Sequence, residues 1–200
     1  RIYRYNLLTD QFELYLDLAE HIYMGLVLHY LFIDSQEQLW IGLNSGLYCC
    51  LLGETPQLID SDCHVTYITE LPQSMAIGTT CDLRIYSKDR NLLQKLCPDT
   101  YVQSLLPLPN KEILLIGTFN CGVKSISLSS WQEQPVKNGS LPHTPIRSMI
   151  EMTPSTVLLG FDGDGVYTYN LSSGEAEPLF TRTNRMLTAM GVYSLCRDCE

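Results

Sequence analysis

Hydrophobic and polar positions alternate along most of the chain in short runs, and the runs come in sets. The stretch "LWIGLNSGLYCC" (39–50) returns as "MAIGTTCDLRIY" (75–86), "LLIGTFNCGVKSI" (114–126) and "VLLGFDGDGVYTY" (157–169). The anchoring glycines Gly42, Gly78, Gly117 and Gly160 stand 36, 39 and 43 residues apart. A second glycine follows at Gly46, Gly122 and Gly165, with Asp82 in its place in the second copy. Each copy is preceded by another strand-like run ("LVLHYLFID", "HVTYITEL", "YVQSLLPL", "PIRSMIEM") and followed by a fourth ("PQLID", "NLLQKL", "QEQPV", "AEPLF"). Alternation with β-branched and aromatic residues, bounded by Gly, Pro, Asn and Asp, predicts strands. No stretch sustains a helical period; "TNRMLTAMGVYSL" reads as a loop entering the next strand.

Four short strands repeated at this period predict an all-β fold, a β-propeller of four-stranded antiparallel blades. The complete blades fall at 26–63, 64–100, 101–143 and 144–191. Residues 1–25 read as the end of an earlier blade, because "IYRYN" parallels "VYTYN", and 192–200 ("VYSLCRDCE") open a further one. The chain therefore reads as a single propeller segment excerpted from a larger chain. Its terminal pieces either pair into a fifth blade lacking one strand or leave edges for a partner chain to cover.

Composition narrows the function classes. Thirteen Lys and Arg against 22 Asp and Glu give a net charge of −9. With no basic run, the segment has nothing to hold a nucleic-acid backbone or an anionic membrane surface. The longest apolar stretch, from Ile22 to Ile33, is too short to span a bilayer, so no direct membrane insertion is expected. The eight cysteines, Cys49, Cys50, Cys63, Cys81, Cys97, Cys121, Cys196 and Cys199, are spread along the chain. They read as small apolar residues rather than a disulfide framework. Cys81 and Cys121 sit at equivalent turns of blades that diverge outward, too far apart to bridge. The lone CxxC at 196–199 has no second pair for zinc and no helix start to activate a thiolate.

The first copy, "FIDSQEQLWIGLNSGLY" (32–48), resembles the two-component regulator propeller repeat. The other copies keep the Ile-Gly or Leu-Gly core, with Ala76, Leu115 and Leu158 near the place of Trp40. Such repeats fill the periplasmic sensor region of Bacteroides-type hybrid two-component system histidine kinases. The resemblance implies an extracytoplasmic, periplasmic ligand-sensing segment of an inner-membrane protein that signals across the membrane. It implies an oligosaccharide released from a glycan, or another small ligand, as the partner, and a homodimer formed through the parent ectodomain. It implies no enzyme activity and no cofactor for this segment. Two other readings stand beside it: a non-catalytic scaffold for protein interaction or dimerisation, and a propeller carbohydrate-active enzyme.

Candidate chemistry gathers at the turns. Asp162 and Asp164 in "GFDGDGVYTYN" could begin a calcium loop, but the later ligand positions hold Val166, Thr168 and Asn170 in a strand-like segment. A phosphate cradle needs a following helix, and a strand follows here. The stretch reads instead as a hairpin turn. In a propeller the turn between the second and third strands shares a face with the loop entering the next blade, and such loops are the usual binding surface. That face would carry Asn44, Thr80, Asn120, Asp162 and Asp164, the loops 137–145 and 181–191, and on the last loop Arg182 and Arg185. Tyr48, Tyr86, Tyr167 and Tyr169 recur at one strand position and, with Trp40, read as blade packing. Glu70 and Glu151 fall at matched positions near the end of a first strand, where a glycosidase pair could stand but a solvated turn is the plainer reading. His21, His29, His64 and His143 are scattered, with no nucleophile beside them.

Overall fold

The computed structural model describes residues 1–17, 27–139, 141–179 and 191–198. They divide into two compact units, Arg1–Val65 and Thr66–Glu200.

The first unit opens with a hairpin of β1 (Ile2–Asn6) and β2 (Gln11–Leu16). A four-stranded antiparallel sheet follows in chain order: β3 (Leu28–Ile33), β4 (Gln38–Leu43), β5 (Gly46–Leu51) and β6 (Gln57–Asp60). Every residue of β4 is buried, which explains why the second strand of the repeat reads as a continuous apolar run rather than an alternating one. Ile2, Tyr15 and Leu16 of the hairpin pack on Leu39, Ile41, Leu43 and Cys50.

The second unit holds three sheets of the same design. They are β7 (Val65–Glu70), β8 (Ser74–Thr79), β9 (Leu83–Ser87) and β10 (Leu92–Leu96); β11 (Val102–Leu108), β12 (Ile113–Thr118), β13 (Val123–Ser127) and β14 (Glu133–Gln134); and β15 (Ile146–Thr153), β16 (Thr156–Phe161), β17 (Gly165–Asn170) and β18 (Ala176–Pro178). Antiparallel four-stranded meanders repeated in this way are propeller blades, and no α-helix occurs among the described residues. Cores form between successive sheets. Ala76, Leu83 and Ile85 pack with Leu105, Leu114 and Ile116, and Leu115 and Val123 pack with Met149, Val157, Leu159 and Phe161.

The repeat motif has a specific physical basis. Trp40 is fully buried, and its indole N–H donates to Asp34 Oδ2 at 2.8 Å. Asp34 Oδ1 also accepts the backbone N–H groups of Gln36 and Gln38, each at 2.9 Å. The aspartate thus closes the turn before β4 and satisfies the buried indole within it. The anchoring glycines serve close approach rather than an unusual backbone. Gly78, Gly117 and Gly160 are absent from the residues with positive φ. A Cβ on Gly117 would overlap Ser104 Oγ and stand 2.9 Å from Ile146 Cγ2; one on Gly160 would stand 2.8 Å from Val192 Cγ1.

Each first strand of the second unit is also tied to the segment that follows its sheet by a hydroxyl-to-carbonyl bond. Thr66 Oγ1 donates to the Val102 carbonyl at 2.7 Å, Ser104 Oγ to Ile146 at 2.7 Å, and Ser148 Oγ to Val192 at 3.5 Å. Residues 192–198 contain no strand; Val192 N–H donates to the Phe161 carbonyl at 2.8 Å, and Gly191 forms an isolated bridge with Asp162.

Candidate functional site

The first strands β3, β11 and β15 have a register irregularity near their start, between Leu28 and Tyr30, Val102 and Ser104, and Ile146 and Ser148. An extra residue at such a step is turned out of the ladder and can be aimed at a site. In the second unit these residues are Gln103 and Arg147, and they meet. Arg147 Nη1 donates to Gln103 Oε1 at 2.8 Å, while its Nη2 and Nε donate to Asp162 Oδ2 at 2.7 and 3.1 Å. The guanidinium carbon lies 5.5 Å from the ring centre of Tyr193, which is 70% exposed. Thr144 Oγ1 donates to Asp164 Oδ2 at 2.5 Å. Gln103 is buried, and its amide nitrogen makes no hydrogen bond to a described residue.

The hairpin turn Asp162–Asp164 is held open by Gly163 at φ 109° and Gly165 at φ 78°, values that glycine alone adopts without strain. Asp162 N–H donates to the Pro145 carbonyl at 2.9 Å, so the turn lies against the segment entering its own blade. The same closure recurs at Phe119 with Tyr101, at 3.0 Å. The result is a half-exposed ion pair flanked by an amide and an aromatic face. Such a set can bind hydroxyls bidentately and stack an apolar ring face.

The other sequence candidates fare differently. Asn44 caps its own blade: its Oδ1 accepts Val27 N–H at 3.0 Å and its N–H donates to the Val27 carbonyl at 3.1 Å. Asn120 is exposed and accepts the Cys121 thiol at 3.2 Å, and Thr80 is half-buried. Arg182 and Arg185 lie outside the described residues, as do His21 and Cys199. Asp82 replaces the second glycine of its copy by side-chain bonding, accepting Thr79 Oγ1 at 2.6 Å and the buried Arg84 Nε at 3.0 Å. Tyr86 and Tyr169 are buried, and Tyr48 and Tyr167 pack half-buried against the same cores. Burial pushes the Tyr169 hydroxyl above its ordinary value, and it donates to the Lys137 carbonyl at 3.0 Å.

Glu70 is ion-paired with Lys88, and the sheet β11–β14 stands between its sheet and that of Glu151, so the two carboxylates do not form a pair. Among the described cysteines, Cys81, Cys121 and Cys196 are exposed and Cys49, Cys50, Cys63 and Cys97 are buried. No group of three or more His, Cys, Asp or Glu among the described residues could hold a metal ion; Asp162 and Asp164 engage a guanidinium and a hydroxyl instead.

Sequence reasoning missed Gln103, Arg147 and Tyr193. The available signal was positional: Gln103 and Arg147 stand one residue past the first apolar residue of a first strand, and Tyr193 stands one residue past Val192.

These geometries define a class before any single relative: the chain carries four-stranded propeller blades with a polar and aromatic cluster of Gln103, Arg147, Asp162 and Tyr193. No protein-family model and no curated protein matches the sequence. Solved structures do match. One is the extracellular domain of BT4673 from B. thetaiotaomicron, described as a hybrid two-component system. It has a TM-score of 0.70 and 17% identity, over 84% of this chain and 24% of that one. The extracellular domain of BT3049 from the same organism, described likewise, matches at TM-score 0.65 and 15% identity, over 78% of this chain and 24% of that one. The computationally designed Ika4 protein matches at 0.60 and 14% identity, over 73% of this chain and 92% of that one. The chain thus spans about a quarter of the two ectodomains, and at these identities the likeness is one of fold. Among the described residues no helix is long and apolar enough to cross a membrane.

Proposed function

We propose that the chain is an extracytoplasmic, non-catalytic ligand-sensing segment of a hybrid two-component system sensor. In this reading it recognises an oligosaccharide derived from a glycan, and signals across the membrane through a dimeric parent ectodomain. The observation that carries it is the cluster in which exposed Tyr193 covers Arg147, itself bonded to Gln103 and Asp162. A sugar ring offers an apolar face and a rim of hydroxyls, and the cluster offers an aromatic face beside a bidentate donor and a carboxylate. The fold shared with two ectodomains described as hybrid two-component systems supports the sensing context.

The test is calorimetry of the whole ectodomain against a panel of neutral glycan oligosaccharides. One member is expected to bind, and Arg147→Ala or Tyr193→Ala is expected to weaken it at least tenfold while circular dichroism stays unchanged. Absence of heat and of thermal shift across the panel overturns the reading.

A specific feature favours the scaffold reading as a second one. In the first unit an apolar groove lined by Ile2, Tyr3, Tyr15, Leu31, Ile33 and Leu52 lies beside exposed Tyr5, Phe12 and Leu14. Contiguous exposed apolar surface of this kind marks interaction sites.

A further inference from the structure

The first unit brings together two histidines that are 35 residues apart in sequence. Their Nε2 atoms face each other at 3.0 Å, with ring centres 4.6 Å apart and planes tilted by 43°. His29 is exposed and stands at the irregular step of β3. The start of β3 is pinned by the two hydrogen bonds between Val27 and Asn44. His64 follows a tight turn in which Asp62 N–H donates to Asp60 Oδ1 at 3.0 Å, and the buried Cys63 thiol reaches the Asp60 carbonyl at 3.9 Å. Both rings are therefore carried on backbone that its own hydrogen bonds fix. The pair is preorganised.

At this separation one ring donates its Nε2–H to the lone pair of the other. Two imidazole nitrogens held this close can also serve one divalent transition ion. The separation selects among ions. Nitrogens 3.0 Å apart, each about 2.1 Å from a metal, subtend about 90° at it, whereas a tetrahedral ion holds them about 3.4 Å apart. The geometry points to a two-imidazole site in the first unit for a divalent ion with right-angle ligand geometry, Ni2+ or Cu2+, its other positions filled by water. On binding, the donating ring moves its proton from Nε2 to Nδ1, so both Nε2 lone pairs face the metal and no proton is released. Nothing in this site depends on the sensing reading, and none of its residues belongs to the Arg147 cluster.

The experiment is calorimetric titration of the full chain with Ni2+ and separately with Zn2+, in the presence of a non-thiol reductant. His29→Gln, His64→Gln and a Cys81→Ser/Cys121→Ser control are run alongside. One equivalent of Ni2+ is expected to bind, at least tenfold more weakly in either histidine variant and unchanged in the cysteine control. The Cu2+ complex is expected to show coupling to two nitrogens by electron paramagnetic resonance. Affinity within twofold of the parent in either histidine variant, or loss in the cysteine control, overturns the site. Zn2+ binding tighter than Ni2+ overturns the right-angle assignment. Unchanged circular dichroism in the variants separates loss of a ligand from loss of fold.

Discussion

Asp34 holds the turn that leads into β4. It is 4% exposed and accepts two backbone N–H groups and the Trp40 indole. Removing the acceptor leaves two buried donors without it, the Gln38 N–H and the Trp40 indole, each costing about 1–3 kcal/mol when unsatisfied. Asp34→Ala is therefore expected to lower unfolding free energy by about 2–4 kcal/mol, read as a shift in the urea midpoint. Asp34→Asn keeps one acceptor oxygen and is expected to lose less. This pairing was half legible. The spacing of Asp34 and Trp40 was visible as a motif, and the tryptophan read correctly as packing. The bond between them needed the turn at 34–37, in which Glu37 takes φ 60°, a conformation that no apolar pattern encodes.

At the scale of the strand, the second strand of each repeat is the buried one and the fourth is the exposed one. β8 is wholly buried, while β10 is almost wholly exposed. The repeat glycines belong to this layer. Gly117→Ala would force a methyl group against Ser104 and the first strand of the next sheet. A loss of about 1–3 kcal/mol is expected by thermal or chemical denaturation, as for other overpacked cores. Gly139→Ala is the matched control: nothing lies within 4 Å of its added carbon, and no loss is expected. The strands were legible because most are local patterns of five to eight residues, and the short fourth strands β6, β14 and β18 show where polar composition shortens one. The partners of Arg147 were not legible. They lie 15 and 44 residues away, in its own turn and in the preceding repeat. A charge that finds its partner across a repeat leaves no trace in local periodicity.

For the molecule as a whole, the net charge of −9 sets which ligands can approach. Screening confines that field to about 8 Å at physiological salt, so it acts at the surface and weakens quickly with ionic strength. Sulfated polysaccharides are expected to bind less well than neutral oligosaccharides. A heparin column at physiological salt should not retain the protein, and retention there would show that the Arg147 cluster overrides the global charge. The blade architecture was legible as a whole, since the period of the glycines announced it. The bonds from Thr66, Ser104 and Ser148 to the segment following each sheet have a further consequence. Each junction in the second unit uses the same kind of donor, the same kind of acceptor and the same missing Cβ. A recombination event that deletes or duplicates one whole repeat therefore rejoins surfaces that already match. The length of such a chain can change in steps of one blade across generations while every remaining joint keeps its chemistry.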